Sequence, residues 1–248
     1  MSSGRVSVII PTLNMGRFLP DALASIARQS RAVAEVIVID SNSTDGTPDI
    51  VRRHILEGQP VRLLQTEAKK PAAARNVGLA AASGDFVAFL DADDLWPQNK
   101  LSSQLGYLEA LPSKAMVTGF VTYFDVLDRE KLAPAATART ETLFHVHLGA
   151  CLYRHSALEA IGPFDEALVY SEDVDLLMRV REKGIPFTIL RSVVLYYRRH
   201  PHSLMSQPDP RKERDFRRAV VRSLARRRAE GGDPVDLGSL ESYLDPER

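Results

Sequence analysis

Apolar residues in the first half of the chain follow two alternating patterns. Short continuous runs predict strands at Val6–Ile10 (closed by Pro11), Glu35–Asp40, Val61–Gln65 and Asp85–Leu90. Between them the apolar spacing becomes helical. Phe18 to Gln29 sets Leu19, Ala22, Leu23 and Ile26 on one stripe. Asp45 to Leu56 follows an Asx/Gly turn, with Asp45 or Thr47 as its cap. Ala72 to Ala82 is Ala-rich and stops at Ser83-Gly84. This β-α-β-α-β-α-β order predicts an α/β protein whose parallel sheet carries helices on both faces. Ligands of such sheets bind outside the C-terminal strand ends. The residues there are Thr12 and Asn14, Asp40 to Thr44, and Asp91 to Asp94.

The second half is less regular. Helices are predicted over Lys100–Leu111, Ser156–Ile161 and Glu172–Lys183. The last has Val174, Leu177, Met178 and Val180 inward and Gly184 as its stop. Met116–Phe124 and Thr142–Leu152 read as strands around a polar loop at 128–140, and Phe187–Tyr197 reads as a final strand pair or bend.

The length of 248 residues fits one large domain or two small lobes. Lys plus Arg and Asp plus Glu are 32 each, so no overall charge favours nucleic acid as a partner. The single cysteine, Cys151, excludes an intrachain disulfide and a Cys-rich zinc site, and its apolar surroundings make it a core residue. Met1 to Val6 has no signal-peptide pattern, and no stretch approaches the roughly 20 apolar residues of a membrane span. A cytoplasmic location is therefore expected. Between Arg211 and Arg228 nine basic residues face two acidic ones, whereas residues 229–248 hold six acids and one arginine. The segment reads as a surface helix packing Phe216, Val220, Val221 and Leu224, with its arginines solvated. Peripheral contact with an anionic membrane through 211–228, local neutralisation by the acidic tail, and a homodimer through the stripe are the other readings.

Three constellations carry chemistry. Asp91-Ala92-Asp93-Asp94 follows an apolar strand, where crowded carboxylates repel unless a cation joins them. Their hard oxygens suit Mg²⁺ or Mn²⁺; helix capping by Asp93 or Asp94 is the alternative. Glu172-Asp173, with Asp175 behind, opens a helix whose dipole favours acids without any function. Tyr196 to Ser203 sets His200 and His202 among arginines, and a neutral imidazole can ligate Mn²⁺.

Taken together, VSVIIPTLN (6–14), VIDSNSTDGT (38–47), ARNVG (74–78), SGDFVAFLDADDLW (83–96), IGPFDE (161–166), SEDVDLLMR (171–179) and the closing YYRRHPHSLMS resemble the family 2 glycosyltransferases in order and spacing. The resemblance covers about residues 5–206. It implies a GT-A type, Rossmann-like three-layer sandwich in one domain over 1–206, with a nucleotide-sugar half at 1–98 and an acceptor half at 99–206, followed by the basic helix and acidic tail at 207–248. By that resemblance Pro11, Thr12, Asn14, Asp40 and Ser41 surround the nucleoside, and Arg75 helps hold the donor. Asp91, Ala92 and Asp93 form the Asp-x-Asp motif on the ribose and the metal, a Mn²⁺ or Mg²⁺ ion held by Asp91, Asp93 and His200. Asp173 is the catalytic base, with Glu172 orienting it or touching the acceptor.

The implied reaction is inverting transfer from a nucleotide-sugar, first of all a UDP-sugar, to a glycan or glycoconjugate acceptor. Cell-surface polysaccharide synthesis is the implied setting, on the cytoplasmic side or the inner face of the membrane. Many relatives have Tyr where Leu13 stands and a second Asp where Ser41 stands. Leu13 cannot stack on a base as a ring does, so GDP- and dTDP-sugars remain open. A haloacid dehalogenase-like phosphatase would place a nucleophilic Asp after the first strand, and a sugar nucleotidyltransferase a Gly-rich loop; Pro11 to Asn14 supplies neither. A non-catalytic scaffold is the other alternative.

Overall fold

The structure is a computed structural model that describes residues 4–68, 70–229 and 239–245. Its centre is an eight-stranded sheet. The strands are β1 (Val6–Thr12), β2 (Glu35–Asp40), β3 (Val61–Gln65), β4 (Phe86–Phe89), β5 (Met116–Phe124), β8 (Thr140–Leu143), β9 (Leu152–Arg154) and β10 (Phe187–Arg198), in the order β3-β2-β1-β4-β9-β5-β10 with β8 on β5. β6 (Leu127–Asp128) and β7 (Ala133–Pro134) make a small hairpin within the expected loop. β1 pairs in parallel with β2 and β4, β2 with β3, and β10 with β5, while β8 and β9 run antiparallel to their neighbours.

The strands are apolar on both faces because both faces are covered. Val6, Val8 and Ile10 of β1 join Val36, Val38 and Ala88 in one core, which α1 (Leu19–Ala27) and α4 (Lys100–Ala110) cover. Ile9, Ile37, Ile39, Val87 and Phe89 join the opposite core with α3 (Pro71–Ala81), α5 (His155–Ile161) and α6 (Glu172–Glu182). α2 (Thr47–Leu56) lies on β3 and adds Val51 to the first core. α3 presses close on β1: a Cβ on Gly78 would come within 2.4 Å of Ile9 Cγ2, so only glycine permits this approach.

β1 continues through Pro11, past its expected end. Odd-numbered β1 residues bond toward β4, as Ile9 O accepts from Leu90 N–H. β4 has ended at the level of Pro11, so the missing N–H costs no ladder bond. The expected strand over 142–152 is instead β8, a short 3₁₀ turn at Leu148–Ala150 and β9, because His147 Nδ1 accepts the Gly149 N–H and turns the chain. β10 is one strand with register shifts between Ile189 and Leu195, not a pair.

Two helices bury other faces than the sequence pattern indicated. α6 buries Asp175, Leu176, Arg179 and Val180, while Val174, Leu177 and Met178 are only half-buried. The Asp175–Arg179 ion pair, at 2.9 Å, lets two charges enter that face. α7 (Arg211–Ala229) packs on α6, burying Ala219 and Ser223, with Asp215 buried on the loop before α6, and leaves Phe216 and Val221 exposed. Nor are its arginines simply solvated: Arg222 pairs with Asp165, and Arg226 with Asp175 and Glu182. Of the acidic tail, residues 230–238 and 246–248 lie outside the described residues. Among the described residues no helix is long and apolar enough to cross a membrane.

Candidate active site

A cleft of about 1440 Å³ opens at the C-terminal ends of β1 and β4. Parallel strands deliver the ends of their loops to this edge, which is why polar residues gather there. Pro11, Thr12, Ser41, Arg75, Asp91, Ala92 and Asp93 line it from the first half; Glu172, Asp173 and His200 line it from the second.

Arg75 joins the two halves. Its guanidinium is buried on α3 and donates Nη2–H to Asp91 Oδ1 and Nη1–H to Glu172 Oε1, each at 2.6 Å. Burial opposes the charge, but Asp91 and Glu172 outweigh it and hold the group firmly cationic. Asp91 is likewise a carboxylate: burial works against ionisation, and the Arg75 guanidinium reverses that.

The acidic loop is held by several partners. Asp94 Oδ1 accepts the Arg198 N–H at 2.9 Å, and its buried Oδ2 accepts no hydrogen bond. Burial, with Asp93 and Asp91 nearby, raises the Asp94 carboxyl well above the usual range. His200 Nε2 lies 3.0 Å from Asp93 Oδ2, and its ring packs 4.3 Å from Phe18.

His147, which the sequence reading missed, closes the group. Asp91, Asp94 and His147 bring ligand atoms within 4.8 Å of one another. Its Nδ1 accepts the Gly149 N–H, so the ring proton sits on Nε2, which faces Asp91 Oδ2 at 3.7 Å and Asp94 Oδ2 at 3.9 Å. Burial lowers its pKa to about 4, so the ring is neutral at pH 7. His147 lies in an irregular segment far from the acidic loop in sequence, and no spacing rule connects the two.

A divalent cation fits this donor set. Asp91 and Asp94 bring carboxylate oxygens within 4.8 Å of one another, one of them buried without a hydrogen bond, and Asp93 stands beside them in the loop. Such hard oxygens suit Mn²⁺ or Mg²⁺, whereas His147, with its proton on Nε2 and Nδ1 accepting from Gly149, keeps no lone pair for the ion.

Asp173 stands in the first turn of α6. Its Oδ1 accepts the Val174 N–H at 2.7 Å. Burial, followed by repulsion from Glu172, raises its pKa to about 7.

Asp40 and Asn14 do not line the cleft. Asp40 is fully buried, and both its oxygens accept the Ser43 N–H, at 3.2 and 3.4 Å. Asn14 takes φ 55°, and its Oδ1 accepts the Thr44 N–H at 2.8 Å. Both side chains tie the β1 and β2 loops in place. Trp96 is core rather than cleft wall, donating Nε1–H to Gly149 O at 3.0 Å. Cys151 is buried, as its surroundings indicated.

The fold is that of GT-A type transferases. S. aureus TarS 1-349, solved in complex with UDP-GlcNAc, matches with a TM-score of 0.76 at 22% identity, covering 94% of this chain and 69% of that one. The mannosyltransferase PcManGT of Pyrobaculum calidifontis, in complex with GDP-Man and Mn²⁺, matches at 0.64 and 23% identity, covering 94% and 66%.

The family follows from sequence. The model of glycosyl transferase family 2 matches residues 7–162, and the chain belongs to that family. Among its relatives is the Escherichia coli protein named UDP-Glc:alpha-D-GlcNAc-diphosphoundecaprenol beta-1,3-glucosyltransferase WfgD. It is 30% identical over 183 residues, covering 71% of this chain and 69% of its own. Two other curated relatives, from Bacillus subtilis and Haemophilus influenzae, align over 116 and 109 residues, and this chain covers 46% and 44% of their length.

Proposed function

We propose that this protein is an inverting glycosyltransferase that moves a sugar from a nucleotide-sugar to an acceptor hydroxyl. One observation carries the reading: Arg75 bonds at once to Asp91 of the Asp-x-Asp loop and to Glu172, the neighbour of Asp173. That bridge sets a diphosphate-binding group and a basic carboxylate in one cleft.

Pro11, Thr12 and Ser41 form the wall for the nucleoside, and Asp91 and Ala92 the floor for ribose and diphosphate. Asp91 and Asp93 with His200, the set the family resemblance implies, would hold a Mn²⁺ or Mg²⁺ ion, with the Asp94 carboxyl beside Asp91 as a further oxygen; as a Lewis acid the ion would stabilise negative charge on the departing diphosphate. Arg75 adds a fixed positive charge beside Asp91 and fixes Glu172, whose charge adds to burial in keeping the Asp173 pKa high.

Asp173 is the general base. A carboxylate that titrates near 7 is matched to accepting a proton near neutral pH. As the acceptor oxygen bonds to the anomeric carbon, the carbon–oxygen bond to the diphosphate breaks, and the hydroxyl proton passes to Asp173. One base and a single displacement invert the anomeric centre, so an α-linked donor gives a β-glycoside.

UDP-sugars are the first donor class. The E. coli relative's name supports a UDP-sugar donor and a lipid-diphosphate-linked sugar acceptor, and cell-surface polysaccharide synthesis is the setting we propose with them. Calorimetric titration of UDP, GDP, dTDP and CDP, each with and without Mn²⁺, tests the donor site. One nucleotide binding tightly only with metal is the expected result. A folded sample that binds none of them refutes the proposal.

A further inference from the structure

The helix that carries Asp173 begins without a cap. Ser171, just before it, adopts φ 62° and ψ 21°, and its side chain makes no capping bond. That left-handed conformation is strained for any residue but glycine. The first turn then crowds three acids, Glu172, Asp173 and Asp175, where Glu172 adds to burial in resisting ionisation of Asp173 and the helix dipole offsets this only in part. The turn therefore needs restraint from outside α6.

Two side chains of α7 supply it. Asp215 is wholly buried, and its Oδ2 accepts the N–H of Val169 at 2.9 Å and of Tyr170 at 3.3 Å, the two residues that lead into Ser171. Its Oδ1 is held in turn by Arg214 Nε and Nη2, at 3.0 and 2.9 Å. Arg226 fixes the body of the helix. It donates Nη1–H to Asp175 Oδ1 at 3.2 Å, and Nε–H and Nη2–H to Glu182 at 2.6 and 3.1 Å. Asp175 is also bound by Arg179 at 2.9 Å. Glu172 and Asp173 sit between these two anchor points. Neither Asp215 nor Arg226 lines the cleft.

We propose that Asp215 and Arg226 are positioning residues for the catalytic base, setting the place of Asp173 through the segment 169–175. This rests on the role proposed for Asp173. It gives the basic C-terminal helix, outside the span matched by the family model, a task in catalysis. A small misplacement of a reacting group costs far more rate than binding, so the effect falls on turnover.

The test follows release of nucleoside diphosphate from a sugar donor of the nucleotide that titration identifies, UDP-glucose where that is UDP, with water as the acceptor when none is known. Asp173→Asn, Asp215→Ala, Asp215→Asn and Arg226→Gln are compared with the parent. Asp215→Ala is expected to lower kcat by roughly tenfold or more and to shift the acid limb of its pH profile, while UDP affinity with Mn²⁺ stays within about twofold. Asp215→Asn keeps an oxygen for the two N–H groups and recovers most of the rate. Arg226→Gln acts in the same direction, and it carries the test alone if Asp215→Ala does not fold. Variants that melt earlier with kcat and pH limb unchanged overturn the proposal. So does an equal loss of nucleotide affinity and turnover. An active Asp173→Asn enzyme defeats the base assignment itself. An inactive one beside normal Asp215→Ala and Arg226→Gln enzymes defeats the positioning role alone.

Discussion

Replacing Asp173 by Asn should leave the protein inert and make it more stable. The substitution keeps the shape and an oxygen for the Val174 N–H, which is 2.7 Å from Oδ1. It removes a carboxylate whose pKa is lifted from an ordinary 3.8 to about 7, by burial first and Glu172 second. The folded protein therefore holds this proton more tightly than the unfolded chain. Below pH 3.8 both forms are protonated and ionisation costs nothing. As pH rises toward 7 the cost grows, and above 7 it levels off at roughly 4 kcal/mol, at about 1.4 kcal/mol per pKa unit. Between pH 5 and pH 8 the parent should lose roughly 2–3 kcal/mol relative to the Asn variant. Urea unfolding of both proteins in metal-free buffer at several pH values reads this directly. A stability difference that stays constant from pH 5 to 8 would refute the raised pKa, however inactive the variant proves.

Three further outcomes are expected. Glu35 is buried and accepts from Ser7, Ser83 and Arg62, which together hold its pKa down to about 2 against the effect of burial. Its contribution is present above pH 4.5 and lost as pH falls through 2, so Glu35→Gln should cost up to roughly 3 kcal/mol at pH 7 and less than about 0.5 kcal/mol at pH 2, measured by urea unfolding. Arg75→Lys offers one ammonium where two carboxylates need a fork; nucleotide affinity and turnover should both fall, with stability reduced by roughly 3 kcal/mol in thermal melts. Chelation by EDTA, Asp93→Asn and His200→Ala should each weaken UDP binding by roughly tenfold or more in calorimetry, and added Mn²⁺ should restore only the chelated parent.

The alternation of buried strands and amphipathic helices was legible because each pattern is local. A strand buried on both faces must be apolar throughout, and β2, β3 and β5 appear where the pattern set them. Local also were the Asp-x-Asp loop and the Glu172-Asp173 pair, since strand ends and helix starts can be read residue by residue. Less legible were positions whose environment comes from distant parts of the chain. Asp40 stands at a strand end like Asp91, yet it is buried on Ser43. His147 enters the site only because a 3₁₀ turn replaces an expected strand.

The order of elements, the class of fold and the acidic groups of the site are thus properties of the sequence alone, since they depend on periodicity and on residue type. Tertiary structure decided which groups meet and with what charge. Arg75 reaches Glu172 across 97 residues, and the pKa values of Asp173 and His147 depend on burial that no local pattern encodes. The basic run of α7 reads as a solvated surface in one dimension. Folded, Arg222 and Arg226 are ion-paired and Asp215 lies in the interior, because the partners that neutralise them lie in the loop before α6 and on α6 itself.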